Sequence, residues 1–155
     1  MKSTYVGAGI ILTRIRNDDT HYLLLKGRDT GVWSFSKGHP EFCDCETPLR
    51  TAVRETSEET GLVAGRDYNI VGDSIRFGKR PYWVGILNKN AAEVVVSRAE
   101  HTMAAWLTWE EICTLNSNTD VRAWVKKSRG LNGKFMHLTS APLPLQSTSY
   151  THLSA

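Results

Sequence analysis

Residues 38–62 read GHPEFCDCETPLRTAVRETSEETGL, and the second half of this stretch is written as a helix. Thr47 precedes Pro48, which pairs an N-cap residue with proline at the first helical position, and Gly61 stands where a helix ends in the left-handed conformation. At about 100° per residue, Leu49, Ala52, Val53, Thr56 and Thr60 gather on one face that can pack on a sheet. Glu55, Glu58 and Glu59 fall on another.

That second face carries chemistry. Carboxylates at i, i+3 and i+4 stand within roughly 6 Å of one another at their roots. At an effective dielectric near 20, two like charges about 6 Å apart repel by about 3 kcal/mol, so the cluster needs cations or solvent. A solvated acidic face is the plain reading, and a hard divalent ion held by oxygen ligands is the functional one. Magnesium suits the second, because it keeps waters that reach phosphate oxygens. Arg54, four residues before Glu58, offsets part of the charge and orients it.

Outward from the helix the chain reads as strands and turns. Residues 5–15 and 21–26 are apolar runs separated by the turn signal Asn17-Asp18-Asp19, which predicts a hairpin. Trp33 and Phe35 alternate on a short strand before a long loop. Beyond the helix, residues 70–77, 81–87, 93–97 and 103–107 read as strands. Thr108 and Glu111 have capping-box spacing for a short helix, and a last helix starts near 118–120 with Val121, Trp124 and Val125 on its buried side. Residues 1–138 are expected to form one domain, followed by a Ser-, Thr- and Pro-rich tail of low order at 139–155.

Composition narrows the class. The chain has 155 residues, 41% hydrophobic and 23% charged, enough for one soluble core. A net charge of +3 is too small to argue for a duplex nucleic-acid binder, though a few cations near a site suit an anionic substrate. No apolar run approaches the roughly 18 residues that span a bilayer, so no membrane partner and a cytoplasmic location are expected. Cys43, Cys45 and Cys113 are an odd number and are read as reduced thiols. A zinc site at His39, Cys43 and Cys45 lacks a second ligand pair, which favours small residues in a loop.

The stretch resembles the signature box of the Nudix family, whose pattern is Gly, five residues, Glu, seven residues, then Arg-Glu-aliphatic-any-Glu-Glu-any-Gly-aliphatic. Gly38, Glu46, Arg54, Glu55, Glu58, Glu59, Gly61 and Leu62 supply its fixed residue types. Two positions depart from it: the loop from Gly38 to Glu46 is two residues longer, and Thr56 replaces the aliphatic residue. The resemblance implies a mixed α/β fold, with a mixed β-sheet between helices. It also implies hydrolysis of a phosphoric anhydride with Mg2+, for which Mn2+ can substitute. In that reading Glu58 and Glu59 are metal ligands, Glu55 assists, the backbone carbonyl of Lys37 or Gly38 adds a ligand, and Arg54 holds the acids in place. Gly38 lets the loop approach the metal closely. Glu100 beside His101 is the candidate general base, in competition with an exposed loop acid.

Shorter likenesses from residue 5 to 115 resemble the diadenosine tetraphosphate hydrolase branch of that family. They are Tyr22-Leu23-Leu24-Leu25, Trp33 with Lys37-Gly38-His39, Ala52-Val53-Arg54-Glu55-Thr56, Tyr82-Trp83, Glu100-His101, Trp106-Leu107 and Glu110-Glu111. In that branch threonine after Arg-Glu is common, whereas Ser36 stands where proline is usual. The resemblance implies a nucleotide substrate, with Tyr82 as an aromatic platform for a base and Lys37, His39, Lys79 and Arg80 near the polyphosphate. Core packing is the competing role for Tyr82 and the preferred one for Trp33, Trp83 and Trp106. The alternative enzyme reading is an RNA 5′-end pyrophosphohydrolase using Lys126, Lys127, Arg129 and Lys134. A non-catalytic nucleotide-binding module is the other alternative, disfavoured because a pure binder has no need of three acids.

Overall fold

The computed structural model of the chain describes residues 5–131. Lys134 and the expected tail at 139–155 lie outside them. The described strands form one mixed sheet, in which β1 (Ala8–Arg16) is central. It pairs antiparallel with β2 (Asp19–Gly27) and parallel with β6 (Arg80–Leu87), which pairs antiparallel with β5 (Tyr68–Phe77). Two short strands, β3 (Trp33–Ser34) and β4 (Ser36–Gly38), add to β2 and β1, and β7 (His101–Leu107) adds to β2.

The hairpin between β1 and β2 turns at Asn17 and Asp18, both at positive φ (52° and 65°), as a tight turn matched to the twist of its strands requires. Both faces of the sheet are covered, so β1 and β2 read as near-continuous apolar runs rather than alternating ones. Ala8, Ile10, Leu12 and Leu23 pack toward α1 (Pro48–Thr60), against Ala52 and Val53, with Leu49 at the edge of that cluster. Ile11, Tyr22 and Leu24 face the opposite layer, where α3 (Thr119–Ser128) contributes Val121, Trp124 and Val125. Trp33, Trp83 and Trp106 are partly buried against these clusters, in packing roles.

Helix limits follow their caps. Pro48 opens α1, and Gly61 closes it at φ 77° with its N–H on the Ser57 carbonyl. The short helix α2 (Trp109–Cys113) carries the capping box, with Thr108 and Glu111 bonded reciprocally. Asn118 caps α3 by accepting from the Val121 N–H. One expected strand is corrected: residues 93–97 form no ladder. Val95 and Ser97 donate instead to the carbonyls of Thr60 and Glu59, which the end of α1 leaves without intrahelical partners. This tie fastens the segment before Glu100 to the end of the acidic helix. Among the described residues, no helix is long and apolar enough to cross a membrane.

Candidate active site

The packing of α1 on β4 sets the first wall of the site. Gly38 lies so close to Glu55 that a Cβ there would stand 1.9 Å from the Glu55 Cδ, so any side chain at 38 would expel the acid. One turn on, Glu59 is nearly buried, and its Oε1 accepts from the Lys37 N–H at 3.0 Å and the Ser36 hydroxyl at 3.1 Å. The Ser36 and Thr56 hydroxyls are 2.8 Å apart, both buried. Thr56, which departs from the signature pattern, and Ser36, which stands where the branch usually has proline, are therefore partners, and the serine is a hydrogen-bonding tie between loop, helix and acid.

Burial raises the Glu59 carboxyl to about 8, and neighbouring Glu55 adds to the rise against the hydrogen bonds from Lys37 and Ser36. Burial likewise raises Glu55, with Arg54 opposing. A buried acid and a partly buried one under this penalty form a donor set that a divalent cation would relieve. Their chemistry fits Mg2+ or Mn2+.

Arg54 organises the outer side of the cluster. Its Nε and Nη2 form a two-point contact of 2.9 Å each with Asp44, its Nη1 reaches Glu55 at 3.1 Å and Glu58 at 3.1 Å, and Nη2 also donates to the His39 carbonyl. The acid that anchors Arg54 is thus Asp44 and not Glu46, which is exposed. Asp44 is buried and accepts further bonds from the Thr51 hydroxyl and the Glu41 N–H. Burial pushes its carboxyl up, yet these donors outweigh that and hold it down to about 2. Counting five residues from Gly38 lands on Asp44, so the extra pair lies after the acid. Cys45 and Glu46 absorb it in the left-handed conformation, at φ 52° and 57°.

The second wall comes from the far end of the chain. β7 joins β2 with a bulge that opposes Gly27 to His101, and the Arg28 N–H donates to the Glu100 carbonyl. Glu59, Glu100 and His101 thereby bring ligand-type atoms within 4.8 Å of one another. His101 is buried, with Nε2 3.7 Å from Glu59 and Nδ1 without a partner. Burial lowers its pKa, against the pull of Glu100, which favours a neutral ring. Between the walls lies a cleft of about 300 Å³. Glu55, Glu59 and Glu100 line it together with Arg28, Lys37, His39 and Arg80.

Three expected residues sit elsewhere. Tyr82 is 1% exposed, packs on Phe35 and Phe77, and donates its hydroxyl to Asp120. It presents no face to a base, because its strand turns it toward the α3 layer. Lys79 is exposed in the β5–β6 turn and outside the cleft lining. Glu58 is half exposed on the outer side of the helix, held by Arg54, and also lies outside that lining. Lys126 and Arg129 rim a separate groove between α2 and α3, while Lys127 lies over the Phe77 ring.

The NUDIX domain matches residues 5–127. The chain belongs to the Nudix family. It is a hydrolase of the class that acts on phosphorus-containing acid anhydrides, with the mixed-sheet fold of that family. The bis(5′-nucleosyl)-tetraphosphatase [asymmetrical] of Sus scrofa is 32% identical over 123 residues, covering 73% of this chain and 81% of the relative. The protein of the same name from Rattus norvegicus is 30% identical, covering 76% and 84%. A crystal structure of a C. elegans Ap4A hydrolase binary complex has a TM-score of 0.65 at 23% identity, over 80% of this chain and 96% of that one. The Nudix domain of Shewanella oneidensis NrtR, complexed with ADP ribose, has a TM-score of 0.60 at 13% identity, over 84% and 89%. The likeness to the diadenosine tetraphosphate hydrolase branch thus extends from short motifs to the length of the domain.

Proposed function

We propose that this Nudix hydrolase is a magnesium-dependent pyrophosphohydrolase of dinucleoside polyphosphates, with diadenosine tetraphosphate as the representative substrate. The observation that carries the reading is the cleft itself, which three acids line together with Arg28, Lys37 and Arg80, side chains suited to the charges of a polyphosphate. The Sus scrofa and Rattus norvegicus relatives, named for that substrate class, support it.

Glu55 and Glu59 would hold Mg2+, with Mn2+ as a substitute, assisted by Glu58 and a backbone carbonyl of Lys37 or Gly38. When bound, the ion supplies Lewis-acid stabilisation of charge on the phosphate oxygens. Lys37, His39, Arg28 and Arg80 bind and orient the polyphosphate. Glu100 accepts the proton of the attacking water as its oxygen bonds to phosphorus and the bridging P–O bond breaks, and neutral His101 orients that water. Arg54 keeps the acids in register without touching substrate. The exposed, unpaired thiols of Cys43, Cys45 and Cys113 suit the reducing cytosol, where we place the protein.

The test is a magnesium-dependent product analysis over dinucleoside polyphosphates, nucleoside triphosphates, nucleotide sugars and 5′-triphosphorylated RNA. Preferred turnover of a dinucleoside tetraphosphate, lost when Mg2+ is chelated, is expected. Preference for the RNA end would replace the substrate reading, and no turnover of any anhydride would make the chain a binding module.

A further inference from the structure

Arg80, at the start of β6, lines the cleft, yet its partner comes from the other face of the sheet. Its Nη1 donates at 3.0 Å to Asp120 Oδ2, in the first turn of α3. Asp120 is 1% exposed and shares that oxygen with the Tyr82 hydroxyl. The β5–β6 turn closes over it so tightly that a Cβ on Gly78 would stand 2.3 Å from Asp120 Oδ1. Arg80 Nε is buried without a partner. Nη1 is therefore clamped by Asp120 and Nε is packed beside Gly7, which holds the guanidinium in one orientation at the cleft wall.

We propose that Asp120 is a positioning residue for polyphosphate binding: from α3, outside the signature stretch, it fixes the Arg80 fork in the cleft. The inference rests on the proposed polyphosphate substrate. Tyr82 serves the clamp as a second, neutral donor, which holds the Asp120 carboxylate in one rotamer. A carboxylate this close to an anion site has two opposed effects, since it orients the arginine and also screens its charge. Because Asp120 is buried and lies outside the cleft lining, orientation is the larger effect.

Asp120→Asn keeps the shape and removes the charge that holds Arg80. It is expected to raise KM for the dinucleoside tetraphosphate about tenfold, with kcat changed less than about twofold. The dissociation constant for inorganic tripolyphosphate, read by calorimetry, should weaken by the same factor. In an Arg80→Met background the second substitution should change neither constant, because Asp120 acts through Arg80. Tyr82→Phe, which removes the second donor to Asp120 but leaves the ion pair, should raise both by less than Asp120→Asn does, and an effect as large as that of Asp120→Asn would count against the ion pair as the clamp. Equal effects of Asp120→Asn with and without Arg80, or a KM that falls or stays put, would overturn the proposal. A chain that ignores dinucleoside polyphosphates but shows the tripolyphosphate coupling would overturn the substrate reading alone.

Discussion

Two arginine–aspartate pairs flank the cleft, and their difference explains the division of labour around it. Arg54 and Arg80 are both mostly buried, and each rests on an aspartate that is almost wholly so. Arg54 is saturated: Asp44, Glu55, Glu58 and the His39 carbonyl take its donors, so it organises acids and has little left for a ligand. Arg80 has Asp120 and, at Nε, an orphan. One pair arranges the negative wall, and the other offers positive charge.

The contrast is broken most severely on the negative wall. Glu59→Gln should lower turnover about a thousandfold, as expected when several kcal/mol of metal-borne stabilisation is lost. Glu58→Gln should cost less, because its carboxylate is half exposed and outside the cleft lining. Steady-state kinetics with the fold checked by circular dichroism decides the order. Equal losses would mean that the outer acid swings inward when the ion binds.

Next comes the anchor. Asp44→Asn leaves Arg54 facing three acids without its buried partner, and should destabilise the fold by about 3 kcal/mol in urea titrations. The wild-type pair also has a pH signature. The folded-state pKa of Asp44, about 2, lies below its ordinary value of 3.8, so the stabilisation is complete above that value and is lost as pH falls toward 2. Asp44→Asn should flatten the acid limb of the stability curve between those values, and an unchanged limb would assign acid unfolding to other groups.

The positive wall sharpens the comparison through binding. Arg80→Met should raise KM about tenfold while kcat moves little, whereas a loss confined to kcat would give Arg80 a role in the transition state. Tyr82 separates packing from recognition. Tyr82→Ala should cost about 3 to 5 kcal/mol as a core cavity, and a stably folded variant whose KM rises far beyond that of Tyr82→Phe would restore the base platform.

The smallest effect is a shift in stability without turnover. Glu59, raised to about 8 from an ordinary 4.5, binds a proton more readily folded than unfolded. Ion-free protein should therefore lose stability as pH rises through that window. Mg2+ should raise the midpoint of thermal unfolding more at pH 8 than at pH 6, and Glu59→Gln should remove the difference.

What the sequence disclosed and what it withheld divide along similar physical lines. The limits of α1, the Asn17–Asp18 turn, the α2 capping box and the Asn118 cap are local, each set by residues within a few positions. The helical spacing of Glu55, Glu58 and Glu59 was legible for the same reason, but not that Glu58 faces away from the cleft. Asp44 was hidden because two residues in the left-handed conformation shift the spacing between it and Arg54, although the count from Gly38 contains the answer. Tyr82 was ambiguous because period-two alternation shows that a strand has two faces but not which one meets the ligand. The segment 93–97 looked like a strand by composition, yet the helix end that uses its N–H groups lies more than thirty residues earlier. The pairing of Arg80 with Asp120 spans forty positions and left no mark in either neighbourhood.

The central claim is that the cleft acids grip a divalent ion against a polyphosphate, and anomalous scattering from crystals grown with Mn2+ and a non-hydrolysable dinucleoside tetraphosphate tests it most directly. A manganese peak is expected within bonding distance of Glu59, between α1 and the Glu100 segment, with phosphate oxygens on the Arg80 side. A nucleotide bound in the cleft with no peak there, or a peak only at the outer Glu41 and Glu46 surface, would contradict it.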